Sequence, residues 1–382
     1  MNLLSTCSKA DWEEVGKRAE QSSFRPDDPT EEIELPKGID PSTCLWPKEA
    51  GEFVAQQTKA VVLNEQKAQE VAELIYEKTK KESAEKLEFN WHVLHPKFEH
   101  AEQQARWVFF ADTINFAFWS SAGSPVEYDG KPYTGYYSAA ALMKHAIDAH
   151  WYAVLDPHCW LHMTVDDCKQ LFAGKLPLPH FRLKAINEAG NVIVKKYGGL
   201  VLNLLKAANG SAQRLIRLLV RDFRSYRDCV RFKGKTLMML KRAQIFAADI
   251  HSALKNDPSV PFAKFDDIQG ASSTLTMFAD YRVPQVLVYL GVLKYDEKLR
   301  KRLLEFTTLP RGHEFEVAIR GLSIHAVQKI SEKVDALCAE RGALERPITS
   351  GDIDVFLWLY RREHAVEVDK AISHHATLTW FY

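Results

Sequence analysis

The sequence has no CxxC pair. Its cysteines, Cys7, Cys44, Cys159, Cys168, Cys229 and Cys338, are scattered along the chain, unlike the spaced framework that staples a small secreted domain. They read as reduced thiols, mostly packing residues. Residues 1–10 show no charged stretch followed by an apolar one, and no apolar run approaches the roughly 18 residues that a membrane span requires. Both absences lead to the expectation of a cytoplasmic protein, with nuclear presence left open, and no membrane partner. Charge of one sign is also missing: Lys plus Arg number 50 and Asp plus Glu number 50. No global positive field exists to condense the chain onto a long polyanion, and a small, partly neutralised ligand suits it better. GxGxxG, GxSxG and GxxxxGK followed by Ser or Thr are absent, which removes the phosphate-cradling loops and the serine hydrolase elbow. Strand-like alternation is scarce, and no repeat at solenoid spacing or low-complexity tract appears.

What remains is the balance of an ordinary globular chain, 46% hydrophobic and 26% charged over 382 residues, long enough for one large domain or two fused halves. Residues 1–50 read as an acidic arm punctuated by Pro26, Pro29, Pro36, Pro41 and Pro47, with a short helix over 11–20. Residues 51–382 read as the functional domain. Asn64 is placed as an N-cap, followed by Ala68, Val71, Leu74, Ile75 and Lys78 at helical spacing. Residues 101–119 are dense in aromatics but interrupted by Asp112, Thr113 and Asn115, so they form a core helix or a pocket wall. Asp129-Gly130 predicts a tight hairpin turn. Apolar spacing predicts further helices over 138–149, 164–173, 181–196, 212–221, 241–254, 284–290, 297–306, 314–341 and 353–368. The fold class is therefore mainly α: a compact helical body with at most a small β element.

Some signals carry little. His158 and His162 have the spacing of two zinc ligands on one helix face, but Pro157, Trp160 and Leu161 suggest an aromatic loop and no further ligands follow at motif spacing; no metal is expected. The series Arg214, Arg217, Arg221, Arg224, Arg227 and Arg231 alternates with Leu218, Leu219 and Phe223 and reads as a solvated helix face before it reads as a nucleic-acid contact.

Residues 274–291, TLTMFADYRVPQVLVYLG, carry the chemistry. Pro284 is placed as a first helical residue, Val283 as its cap and Gly291 just beyond the end. Asp280, three residues before that cap, stands too far out to serve as it, leaving a salt-bridged loop residue or a functional carboxylate. The same turn brings backbone N–H groups and Arg282 toward a phosphate.

The string Phe278-Ala279-Asp280-Tyr281-Arg282-Val283-Pro284-Gln285 resembles the signature of the queuosine salvage proteins, the queuosine 5′-phosphate N-glycosidases. In the same order follow resemblances at 112–119 (DTINFAFW), Gly135-Tyr136, Ser225-Tyr226-Arg227-Asp228, Lys241-Arg242-Ala243-Gln244, 316–321 (EVAIRG) and Phe381-Tyr382. The similarity runs from about Phe53 onward. It implies an α-rich fold similar to helical DNA glycosylases and hydrolysis of queuosine 5′-phosphate to queuine and ribose 5-phosphate, with water as second substrate and no cofactor. Breaking an N-glycosidic bond builds positive charge on the ribose, so a carboxylate beneath the anomeric carbon stabilises the transition state; the resemblance gives that role to Asp280. Phe278 either stacks on the base or packs in the core. Asp354 and Trp358, four residues apart, share a helix face and are placed to read a guanine-like edge and its ring. By resemblance Glu363 contacts the cationic side chain of queuine, although nine residues after Asp354 it points to the opposite side of an unbroken helix. His92 aligns with a ligand-facing histidine, and Asp112, Asn115, Lys241 and Arg282 complete the set. Lys241 pairs with Asp280, holds the phosphate or forms a structural ion pair. Two other readings stand beside this one: a base-excision DNA glycosylase of similar fold, disfavoured by the balanced charge, and a non-catalytic module that binds queuine or a modified tRNA. No stable nucleic-acid complex is expected.

Overall fold

The computed structural model describes residues 14, 24, 26, 31–82, 92–119, 125–305 and 307–382; apart from Glu14, the short helix expected over 11–20 lies outside them. The chain divides into two compact units, each assembled from stretches distant in sequence. The first comprises Met1–Pro36, Trp91–Tyr226 and Ile245–Phe265; the second comprises Lys37–Asn90, Arg227–Gln244 and Asp266–Tyr382. The division falls inside the helix Lys241–Leu254, whose first turn belongs to the second unit. Helices dominate the described residues and the strands are few and short, as a mainly α fold requires.

In the first unit, aromatic side chains that face inward from several helices form the core. The Phe109 ring stacks on Tyr226 with centroids 6.1 Å apart and meets Phe223 and Phe246 edge-on at 5.5 and 5.1 Å. Helices Tyr136–Asp148, Val165–Phe172, Pro179–Lys196 and Ala212–Asp222 follow the predicted apolar spacing. The Val165–Phe172 helix starts on a capping box between Thr164 and Asp167. Strands Val126–Tyr128 and Lys131–Tyr133 pair across Asp129 and Gly130, both at positive φ (49° and 70°), as a two-residue hairpin loop demands.

Two expectations for this unit fail. The aromatic loop around Pro157 is a helix, Pro157–His162: Asp156 accepts the His158 N–H at 3.0 Å, and proline fits the first helical position. Gly190 makes room for this helix, since a Cβ there would stand 2.7 Å from the Pro157 carbonyl oxygen and closer still to the Leu161 nitrogen. The helix Val201–Ala208 replaces a stretch for which no element is expected; it is nearly all buried.

The second unit is built on the 28-residue helix Glu314–Arg341. Helix Pro47–Gln57 lies close against it at two glycines. A Cβ on Gly321 would stand 2.6 Å from the Val54 Cβ, and one on Gly51 would stand 2.9 Å from the Ile324 Cγ2. Helices Glu65–Glu82, Val283–Tyr289 and Ser350–Glu363 complete the core with Ile75, Val286, Leu287, Ile319, Ile330 and Leu357. Asn64 caps the first of them, its Oδ1 accepting the Lys67 N–H at 3.3 Å. Residues 44–45, expected in the arm, instead form a strand parallel to Lys235–Met238, which also pairs with Cys229–Phe232. Val61–Leu63 pairs with Leu293–Tyr295. Among the described residues strand content is thus small but spread over three sheets, and the two of them that join segments far apart in sequence leave no alternation to read. The helix expected over 353–368 is two, Ser350–Glu363 and Ala365–Ala371, joined at His364.

Candidate active site

Between the 3-10 turn Gly270–Ser272 and the helix Val283–Tyr289 the chain runs without regular secondary structure. Its buried polar groups must therefore find partners elsewhere. Side chains from three other elements supply them. The Gln244 carboxamide oxygen accepts from the Thr276 N–H at 2.8 Å and from its hydroxyl at 3.1 Å, while its Nε2 donates to the Met239 carbonyl at 3.1 Å. Asp354 Oδ1 accepts the Phe278 N–H at 3.0 Å. Arg320 Nε donates to the Ala279 carbonyl at 2.9 Å. Thr276, Phe278 and Ala279 are thus pinned from independent directions, and the next residue is Asp280.

Asp280 also contributes to the hold. Its Oδ1 accepts the N–H groups of both Arg282 and Val283, each at 2.9 Å. The helix is capped at Arg282, not Val283, so Asp280 stands two residues before the cap and satisfies donors of the first turn after all. Asp280 is thus not the cap residue, as its distance implied, but it has a structural role nonetheless, because a carboxylate two residues before the cap reaches these N–H groups across a tight turn. Its second oxygen, Oδ2, takes no hydrogen bond among the described residues. The carboxylate is therefore fixed in direction by one oxygen and uncommitted at the other.

The surroundings set its charge. Burial raises the Asp280 carboxyl above the ordinary range; the Lys241 charge, the Val283 and Arg282 N–H groups and the Arg282 charge pull it back. Asp354 is raised well above its usual value, first by burial and then by the charge of Asp280, against the Phe278 N–H and Lys241. Two carboxylates thus share one cation in a confined space, an arrangement that keeps their ionisation coupled and sensitive to what binds.

The second unit therefore gathers Lys241, Phe278, Asp280 and Asp354. Phe278 is buried, with its ring tip against Gly351, where a Cβ would stand 3.4 Å from the Phe278 Cζ. Trp358, one turn after Asp354, is partly buried, with the Arg362 guanidinium 5.3 Å from its ring. Arg282 is engaged with Gln285 at 3.1 Å and Asp369 at 3.2 Å. Glu363 is the exposed last residue of an unbroken helix and lies about 180° around it from Asp354. His92, Asp112 and Asn115 belong to the first unit. There His92 stacks on Tyr137 at 4.2 Å, and Asn115 Nδ2 donates to Asp112 Oδ1 at 3.4 Å. Nearby His95 accepts from the Trp107 indole at 3.2 Å and is held to about 3 by burial, hence neutral.

Asp228, Gln244, Glu316, Arg320 and Tyr382 fall within strings quoted for the resemblance yet were given no part in the site. A signal was available for Arg320: a charge set between Ile319 and Gly321 inside an apolar helix, four residues after Glu316, has to be paired if it is buried.

The sequence has relatives among known proteins. The family described as queuosine salvage protein matches residues 94–382. The chain is 36% identical over 350 residues to a queuosine 5′-phosphate N-glycosylase/hydrolase of Mus musculus, covering 88% of this chain and 99% of the relative. A Bos taurus protein of the same name is 35% identical over 353 residues, with 88% and 99% covered. One from Schizosaccharomyces pombe is 34% identical over 329 residues, with 82% and 90% covered.

Proposed function

The chain belongs to the queuosine salvage protein family, and on that premise we propose that it hydrolyses queuosine 5′-phosphate to queuine and ribose 5-phosphate. The observation that carries the proposal is Asp280: one carboxylate oxygen anchored by two backbone N–H groups, the other uncommitted among the described residues. As the bond from the anomeric carbon to the base nitrogen breaks, its electrons leave with the base and the ribose becomes cationic. An oriented carboxylate stabilises that cation without having to reorganise. Water then adds its oxygen to the anomeric carbon, one of its protons being released and a proton being taken up by the base. The Lys241 charge lowers the proton affinity of Asp280 against the effect of burial.

Asp354 and Trp358 are assigned to the leaving base. Burial and the Asp280 charge raise the proton affinity of Asp354 in the free enzyme; parallel N–H donors on a guanine-like edge favour its ionised form, so binding of the base lowers that affinity. Phe278 lies beside Asp354 through its backbone and is assigned to the same pocket wall. We further assign the protein to the cytoplasm, a setting compatible with thiols at Cys44, Cys159, Cys168, Cys229 and Cys338. The test is incubation of the purified protein, without added metal, with queuosine 5′-phosphate, followed by mass spectrometry. Queuine and ribose 5-phosphate in equal amounts are expected. Intact nucleotide bound without product would favour a carrier, and steeply salt-dependent binding to duplex DNA would favour a base-excision enzyme.

A further inference from the structure

Asp228 immediately precedes the strand Cys229–Phe232 and is 2% exposed. Its backbone oxygen accepts the N–H groups of Met239 at 2.9 Å and Leu240 at 3.1 Å, and its Oδ2 accepts the Lys241 N–H at 3.1 Å. These bonds hold the turn that starts the Lys241 helix, including Leu240 at φ 52°, a left-handed conformation that a residue with a side chain keeps only when its neighbours impose it. The same carboxylate receives Arg320, Nη1 to Oδ1 at 3.1 Å and Nη2 to Oδ2 at 2.5 Å. From its other edge Arg320 reaches the Ala279 carbonyl. Glu316 Oε1 accepts from Arg320 Nη1 at 3.2 Å and from the Tyr382 hydroxyl at 2.9 Å, and the Tyr382 ring lies 3.8 Å from the guanidinium carbon. Arg320, Glu316 and Tyr382 are each 1% exposed, so none of them presents a face to a ligand.

We propose that Asp228 and Arg320 are positioning residues that fix the separation of Asp280 and Lys241. The ion pair is bonded at one end to the backbone one residue before Asp280 and at the other to the backbone nitrogen of Lys241, and Glu316 and Tyr382 brace the guanidinium. The arrangement suits the chemistry because the lowering of the Asp280 proton affinity by Lys241 depends on their separation. A lysine at position 320 keeps the charge but lacks the fork that reaches Asp228 and Ala279 together. The inference rests on the N-glycosidase reading.

The experiment compares the full-length wild type with Arg320→Lys and Tyr382→Phe, using queuosine 5′-phosphate across a pH series, with folded fraction measured by circular dichroism. For Arg320→Lys, kcat per folded molecule is expected to fall about 30-fold with KM nearly unchanged, as a small misplacement of reacting groups does. The acid limb of its kcat/KM profile should move to higher pH, because Asp280 loses part of the influence of Lys241. Tyr382→Phe removes one hydroxyl and is expected to fall about 3-fold in kcat with the same direction of limb movement; it carries the test if Arg320→Lys does not fold. Wild-type kcat and an unmoved acid limb in the folded variants, whatever their melting temperatures, would overturn the positioning role. A wild type inert toward the nucleotide would overturn the N-glycosidase reading and this inference with it.

Discussion

Two buried arginines hold two irregular stretches of this chain, and they do so differently. In the first unit Arg182, 0% exposed, directs its guanidinium at the carbonyls of one neighbourhood: Pro177 at 2.8 Å, Phe116 at 2.7 Å, Ala117 at 3.3 Å, and Ile114. It also lies over the rings of Phe116 and Phe118. In the second unit Arg320 divides its bonds between one carbonyl, that of Ala279, and the carboxylates of Asp228 and Glu316. Both solve the same problem, backbone acceptors buried where neither helix nor sheet satisfies them. Arg182 fixes the shape of a loop. Arg320 also ties its loop to the turn that begins the Lys241 helix, so the Asp280 segment is set relative to a second charged group.

The largest expected effect tests the first arm of the comparison. Arg182→Met leaves several buried carbonyls without their donor and should cost about 3 kcal/mol or more in urea unfolding; a loss below about 1 kcal/mol would mean that the loop is held by other groups. At Asp280 the anchoring and chemical oxygens separate by substitution. Asp280→Ala removes the acceptor for the Arg282 and Val283 N–H groups and should cost about 1–2 kcal/mol, whereas Asp280→Asn retains that acceptor and should melt close to the wild type.

Asp354 gives a smaller effect with a definite sign. Its folded-state proton affinity is raised, so its contribution to stability is fully present below the ordinary carboxylate range and is lost as pH rises through the folded value. Asp354→Asn, which can still accept the Phe278 N–H, should therefore melt a few degrees higher than the wild type near pH 8, the difference vanishing below about pH 4. Equal melting temperatures at both pH values would remove the claim that this carboxyl is strained toward protonation. Smallest is Lys241→Gln. Loss of its charge should move the acid limb of kcat/KM upward by about one pH unit or less, and a downward movement would contradict the placement of Lys241 beside Asp280.

Much of the scaffold was legible because it is local. Amphipathic helices such as Ala212–Asp222, the Asn64 cap and the Asp129-Gly130 hairpin each announce themselves within a few residues. Pro157–His162 is less legible: Asp156-Pro157 is a start signal, but six residues are too few to show a helical period. The site was legible only at its centre. Asp280 stands out for lacking an evident structural role, yet it has one, which uses only one of its oxygens. The partners that hold its segment, Gln244, Arg320 and Asp354, lie 36, 40 and 74 residues from it in sequence, distances at which no local pattern operates. Glu363 shows the converse. Its helical phase, readable from spacing, sets it opposite Asp354, and the helix runs unbroken to it.

The central claim is that Asp280 acts through its uncommitted oxygen and its charge. The most direct measurement is single-turnover release of queuine from queuosine 5′-phosphate by Asp280→Asn, a substitution that keeps the anchoring acceptor and removes the charge. The expected result is a loss of at least about 10²–10³-fold in rate with an unchanged melting curve and retained nucleotide binding. Release at the wild-type rate by that folded variant would contradict the account.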